Sequence, residues 1–429
     1  MIAIVAIVVI AAGVGGYVKH QRDLALPRRV ELVPSDASVF AGSSIALQAR
    51  LVGGDPSTPV QWTVVGPGSV SAAGVYSAPA HAGGSAIVVA HADGVSAAAR
   101  VRISSPPGDV ALLLIACYEG NGIDVRQLTT LARAGIVGAP QDASGMAVDE
   151  GRRIAFVAAS ERVMFVDLRT MAVHLSVPQR NSRFSGAVEL AGAYFAASDN
   201  NAGKGAAGIF VFRVGADGAP QLVATVTAGD TPEGMVATSD GRTFYVTNVN
   251  SNEVIRYSFD GRGNARETGH VATGNRPYGI ALDESRNLLF VTDNDTPTVS
   301  GERSRPGLEM FQLPQLRRIG SSISTGSKEA LPIGVAVDEA AGRVFVTDEG
   351  DSNVVVFEVP SLRRIATLPT GKWPWTPYLD PHAARLYVPS AHDDAVDVFD
   401  TRTLQQVRPP LQTCAYPTNL VTYAAGKVR

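Results

Sequence analysis

The sequence predicts an all-β protein built around a closed ring of repeated four-stranded units, and three observations carry that prediction. A short phrase recurs: Gly145-Met-Ala-Val-Asp-Glu then Ile154-Ala-Phe-Val, Gly234-Met-Val-Ala-Thr then Phe244-Tyr-Val-Thr-Asn, Gly279-Ile-Ala-Leu-Asp-Glu then Leu289-Phe-Val-Thr-Asp, Gly334-Val-Ala-Val-Asp-Glu then Val344-Phe-Val-Thr-Asp. Counting weaker copies, the phrase starts at 145, 186, 234, 279, 334, 376 and 418, at intervals of 41 to 55 residues. That period fits a propeller blade of four strands. The copy at 418 has room for its first strand alone, and three strand-like segments precede the first full copy, within 110–138. Six whole blades and one split blade make seven, and sharing strands between the chain ends removes open sheet edges.

Each unit is two apolar strands joined by a turn, followed by a third and a fourth strand such as Val354-Val-Val-Phe-Glu-Val and Arg364-Ile-Ala-Thr-Leu. Asp149, Asp283, Asp338 and Asp380 recur at one position in the unit. Repetition around a ring marks them as turn formers that hold backbone amides. The stretch 293–307 lengthens one unit and is a candidate contact loop.

Residues 28–105 alternate apolar and polar positions in short runs separated by Gly, Pro and Asp, which predicts a small β-sandwich with Trp62 as its large aromatic. Ser104-Ser-Pro-Pro-Gly reads as a linker to the ring. Residues 2–18 carry no charge. Seventeen helical residues span ~26 Å, the short limit for a membrane helix. A cleaved secretory signal is the rival, but no basic segment precedes the apolar run. The expected order is therefore a transmembrane anchor with its juxtamembrane segment (1–27), the sandwich (28–105) and the seven-bladed propeller (106–429). Ala11, Ala12, Gly15 and Gly16 offer a small-residue face for a partner helix of an integral membrane protein. Lys19, Arg22, Arg28 and Arg29 follow the anchor, which favours a cytoplasmic globular part. The domain types and the cysteines favour the periplasm, and the expected placement is a single-pass protein of a bacterial inner membrane with its domains outside.

The Tyr245-Val-Thr-Asn string and its relatives resemble the YVTN-repeat seven-bladed propellers of bacteria, and Gly74-Val-Tyr-Ser-Ala-Pro resembles a segment of bacterial immunoglobulin-like domains. The first resemblance covers about 108–429. It implies the fold. It leaves function open among surface proteins, lactonase-like enzymes and redox-enzyme subunits such as the propeller chain of quinoprotein amine dehydrogenases.

Lys and Arg number 37 against 40 Asp and Glu, a net charge of −3, which argues against nucleic acid as a partner. The seven His show no pairing at ligand spacing, His382 and His392 read as solvated turn residues, and neither C-x-x-C-H nor G-x-S-x-G occurs. No metal and no cofactor is implied. The loops leading into each innermost strand carry Arg183, Glu233, Arg276, Tyr278, Lys372, Trp373, Trp375 and Tyr416, with Phe184, Lys328 and Glu329 beside them. Such a ring suits a sugar acid or a protein loop; the alternative is that each residue caps its own blade. Cys117 ends a strand of the split blade and Cys414 precedes its neighbour. They form either a disulfide across the ring closure or two small buried apolar side chains.

These readings favour a non-enzymatic binding or scaffolding protein: an accessory subunit of a membrane complex, electron-transport or photosynthetic among the candidates, or a cell-envelope interaction module. The first alternative is a lactonase-like hydrolase, for which Glu233 with Arg276 is the candidate pair. The second is a propeller subunit of a periplasmic dehydrogenase.

Overall fold

A computed structural model describes residues 28–425, apart from 56, 81–82, 121, 140–141, 177, 217, 295–305 and 381–382. The chain divides into two compact units with the boundary at Pro106, and the short segment Gly135–Gly138 groups with the first.

In the first unit, alternation decides which face is buried. Along Gly84–Ala92, Ala86, Val88, Ala90 and Ala92 point inward and the residues between them do not, the period of two expected of a half-buried strand. This strand lies between Val95–Ser104 and Gln61–Val65, and Asp36–Phe40 completes the sheet, parallel to Val95–Ser104. A three-stranded sheet (Ser44–Ala46, Val75–Ser77, Ser69–Val70) and the pair Arg29–Val33 with Gln48–Val52 complete the unit. Tyr76 is wholly enclosed in the core; Trp62 is only partly buried against it.

The second unit is a series of antiparallel four-stranded meanders, propeller-like in organisation. Pro232–Ala237, Thr243–Asn248, Glu253–Phe259 and Ala265–Ala272 form one sheet in chain order. The same order holds for Met146–Asp149 to Val173–Leu175, Phe184–Leu190 to Pro220–Thr227, Pro332–Asp338 to Arg363–Pro369, and Tyr378–Asp380 to Leu411–Gln412. The sheet beginning at Pro277–Asp283 carries a fifth short strand, Ile323–Ser324. The last strand, Pro417–Tyr423, pairs antiparallel with Leu112–Cys117, and Gly122–Gln127 and Arg133–Gly138 extend that sheet.

The repeated phrase has a physical basis. Thr247 accepts the Gly234 N–H at 2.9 Å and donates to the Tyr278 carbonyl at 2.8 Å, joining two consecutive sheets. Thr292 does the same between Gly279 and Ile333, and Ser198 between Gly186 and Glu233. The first strands approach so closely that a Cβ at Gly186 or Gly234 would overlap the carbonyl of Glu233 or Tyr278. Glycine is therefore required at these positions for space. The recurrent aspartates form turns: Asp149, Asp283 and Asp338 accept the N–H three residues on at 2.7, 3.0 and 2.9 Å, and Asp380 does so at 3.2 Å.

One expectation is corrected at this level. The span at 2–18, with Ala11, Ala12, Gly15 and Gly16, lies outside the described residues. Among the described residues the helical content is the three-residue turn Ala391–Asp393, and no helix is long and apolar enough to cross a membrane. Among the described residues the architecture is all-β, and no helix there supports the expected single-pass inner-membrane placement. The physical reason is that an uncharged run of this length reports hydropathy alone and sits at the short limit for spanning. Most of the 293–307 loop also lies outside the described residues.

Candidate functional site

The residues just before the repeated glycine converge. Ser144, Ser185, Glu233, Tyr278, Ile333 and Trp375 line a cavity of about 100 Å³. This follows from register: the innermost strands stand side by side, and the residue entering each one points toward the common axis.

Glu233 is the chemically distinctive member. Its carboxylate accepts a hydrogen bond from Asn200 Nδ2 at 3.0 Å. Burial holds its pKa above the ordinary carboxylate value, and Asn200, Arg183 and Ser185 offset part of that rise. Burial likewise raises the Tyr278 phenol, with the Glu233 and Glu349 charges adding to it. Tyr278 accepts from Arg276 Nη2 at 3.1 Å, and the guanidinium lies 5.8 Å from its ring centroid. Arg276 keeps a buried Nε that makes no hydrogen bond with any described residue. The hydroxyl of Thr418, 3% exposed and lining the cavity, makes none either. Buried polar atoms are ordinarily paired, so the unpaired Thr418 hydroxyl on the cavity wall marks a place for a ligand.

Arg183 donates to the Tyr118 hydroxyl and lies over its ring. Its backbone N–H is held by Asp199 at 2.7 Å. Burial raises the Tyr416 phenol, with the Trp375 side chain offsetting it. The structure thus brings Arg183, Glu233, Arg276, Tyr278, Trp375 and Tyr416 to one mouth. Trp373 and Lys372 stand on its rim, both exposed, and the Lys372 N–H is held by Asp393 at 2.8 Å. Phe184 turns into the core, and Lys328 with Glu329 forms an exposed pair. His392 is not simply solvated: its ring stacks on Trp373 at 4.0 Å. Cys117 and Cys414 are joined by a disulfide with Cα atoms 5.7 Å apart, and the Tyr118 N–H bonds to the Tyr416 carbonyl at 2.9 Å beside it.

Sequence reasoning missed Glu349 and Asn200. Both directly follow the repeated Thr-Asp or Ser-Asp at the end of a second strand. Burial, with Asp348 adding to it, pushes Glu349 up to about 7. The signal was present: one slot after the repeat, the copies carry Asn200, Val249, Asn294 and Glu349, so the slot varies where the fold's own residues do not. Among the described residues no three His, Cys, Asp or Glu side chains come together as a metal site.

A larger cavity of about 690 Å³ is lined by the opposite turns, including Glu150, Arg152, Glu189, Asp240 and Glu284. Several of its carboxylates already serve the fold. Glu284 accepts the Ser239 N–H at 2.7 Å and Glu150 the Ala424 N–H at 3.0 Å. The smaller cavity, with its unpaired donors and shifted acids, is the better candidate site despite its size.

Comparison with known proteins follows the same direction. Residues 121–301 match the SMP-30/Gluconolactonase/LRE-like region. The solved periplasmic gluconolactonase PpgL of Pseudomonas aeruginosa is similar at 15% identity and TM-score 0.59, covering 73% of this chain and 99% of that one. A Lactobacillus plantarum protein is similar at 16% identity and TM-score 0.60, covering 72% and 98%. Kuenenia stuttgartiensis hydrazine synthase is similar at 16% identity and TM-score 0.56, covering 70% and 95%. No curated protein sequence matches the chain. At these identities the likeness to solved structures is one of fold. The match over 121–301, to a region named for gluconolactonase, corrects the expectation of a non-enzymatic scaffold.

Proposed function

We propose that the chain is a lactonase-like hydrolase acting at the channel mouth of a seven-bladed β-propeller that follows an immunoglobulin-like sandwich. The observation that carries the reading is Glu233, a partly buried carboxylate on the cavity wall, raised in pKa by burial and held by Asn200 at 3.0 Å. Acids and bases shifted toward neutrality suit proton transfer at physiological pH.

Opening a lactone adds water across the acyl C–O bond. Glu233 as carboxylate takes a proton from water while the water oxygen attacks the carbonyl carbon. The negative charge that develops on the carbonyl oxygen is met by Arg276, whose buried Nε makes no other hydrogen bond with a described residue. As the ring C–O bond breaks, Glu349, protonated for a substantial fraction of the time near pH 7, gives its proton to the leaving alkoxide. The product is the hydroxy acid, and the net proton balance is that of the hydrolysis. The match to the lactonase region supports this assignment.

The test is turnover. Purified protein is incubated with glucono-δ-lactone and formation of the open acid is followed above the buffer rate. Catalysed opening supports the reading; a panel of γ- and δ-lactones that all open at the buffer rate overturns it.

A further inference from the structure

Four rings outside the acid–base pair form a continuous rim. Tyr118 and Tyr416 have centroids 5.7 Å apart, Tyr416 and His392 5.7 Å, and His392 and Trp373 4.0 Å with 16° between their planes. They come from separate segments and are tied in place. The Cys117–Cys414 bond and the Tyr118 N–H to Tyr416 carbonyl bond fix one end. The Ala391 N–H to Trp373 carbonyl bond, at 2.9 Å, fixes the other. His392 covers one face of Trp373, and the indole is still 40% exposed.

Trp373 and Tyr416 both hold φ in the left-handed region, at 56° and 55°. Thr231 and Arg276 share this conformation at the equivalent turns, so it belongs to the repeat and sets how the loop presents its side chain. Polar groups border the rings: Lys372, Asp393 and Asp394 are all exposed, with Asp393 holding the Lys372 N–H and Asp394 the Tyr416 N–H.

We propose that this rim is a subsite for a pyranosyl ring, and, resting on the lactonase reading, that the lactone opened at the mouth carries a glycosyl substituent. A pyranose has an apolar C–H face that lies flat on an indole and a girdle of hydroxyls that reach carboxylates and an ammonium at the edge. An aromatic platform with a polar border matches both features. A phosphate group would need converging cations; here the Lys372 backbone N–H is already held by Asp393, and Arg183 lies over Tyr118.

The experiment uses the full chain, cellobiose as a ligand that cannot be ring-opened, and two substrates, glucono-δ-lactone and cellobiono-δ-lactone. The variants are Trp373→Gly, which the left-handed φ accommodates, and Trp373→Phe, which keeps a ring. Binding is read by calorimetry and specificity as the ratio of kcat/KM for the two lactones. The wild type is expected to bind cellobiose and to favour the disaccharide lactone by about fivefold or more, the scale of one good ring stack. Trp373→Gly brings the ratio near one and weakens cellobiose about fivefold, while Trp373→Phe retains most of both. A wild type that opens glucono-δ-lactone but shows no disaccharide preference and no cellobiose binding overturns the subsite and leaves the lactonase reading standing. A wild type that binds cellobiose through Trp373 but opens neither lactone keeps the subsite and overturns the lactonase reading.

Discussion

At the residue scale, the two shifted carboxyls set the expected pH behaviour. Burial favours the neutral acid of Glu349, so the folded chain holds a proton to about 7 that the unfolded chain releases near 4.5. The contribution is stabilising below the unfolded value and is lost as pH rises through the folded one. Glu233 is shifted in the same direction by the same cause. The unfolding midpoint should therefore fall between pH 5 and pH 8, and Glu349→Gln should flatten that fall; equal slopes in the two proteins, measured by thermal denaturation, would remove Glu349 from the account. If Glu349 is the proton donor, kcat/KM in the wild type also declines above pH 7, and the decline disappears in Glu349→Gln along with most of the rate.

At the element scale, the strength of the ring lies in the hydroxyl stitches. Thr247→Val keeps shape but leaves the Gly234 N–H and the Tyr278 carbonyl without their partner. Each buried group left unpaired costs ~1–3 kcal/mol, so we expect about 2 kcal/mol or more of lost stability in urea denaturation. A loss under about 0.5 kcal/mol would show that water replaces the stitch. The motif itself was legible in the sequence because Gly, Thr and Asp recur at a fixed spacing. What Thr247 does was not legible, because its second partner, Tyr278, belongs to the next repeat. The same limit hid Asn200 and Glu349. Sequence reading attended to loops entering the first strands, and these two leave the second strands and meet Glu233 and Tyr278 only once the repeats are side by side. Arg183, Glu233, Arg276, Tyr278, Trp375 and Tyr416 were singled out because each lies one to three residues before the start of a repeat copy.

At the scale of the whole second unit, its first and last strands pair in one sheet, and the Cys117–Cys414 bond ties them across a separation of 297 residues. The chain-entropy account gives an upper bound of roughly 5–6 kcal/mol for closing so long a loop. Reduction, or Cys117→Ala with Cys414→Ala, should lower the denaturation midpoint by several kcal/mol equivalents. A midpoint insensitive to reductant would mean that strand pairing alone holds the closure. The functional misreading also belongs to this scale. A ring of repeats makes every loop residue look like the cap of its own blade, and no contiguous motif marks a site whose members lie from Tyr118 to Thr418. Only the place of Glu233 on the cavity wall, and of Arg276 against the Tyr278 that shares that wall, distinguishes them from the carboxylates and guanidiniums that the turns use elsewhere.

The central claim is that Glu233 performs chemistry at this mouth. Its most direct test is the initial rate of acid release from a lactone substrate, measured in a pH-stat for wild type and Glu233→Gln, with both proteins shown to unfold at the same midpoint. The substitution is expected to lower kcat by about 10²–10⁴, the range for losing a positioned base, with a smaller change in KM. A Glu233→Gln protein that opens the lactone at the wild-type rate would contradict it.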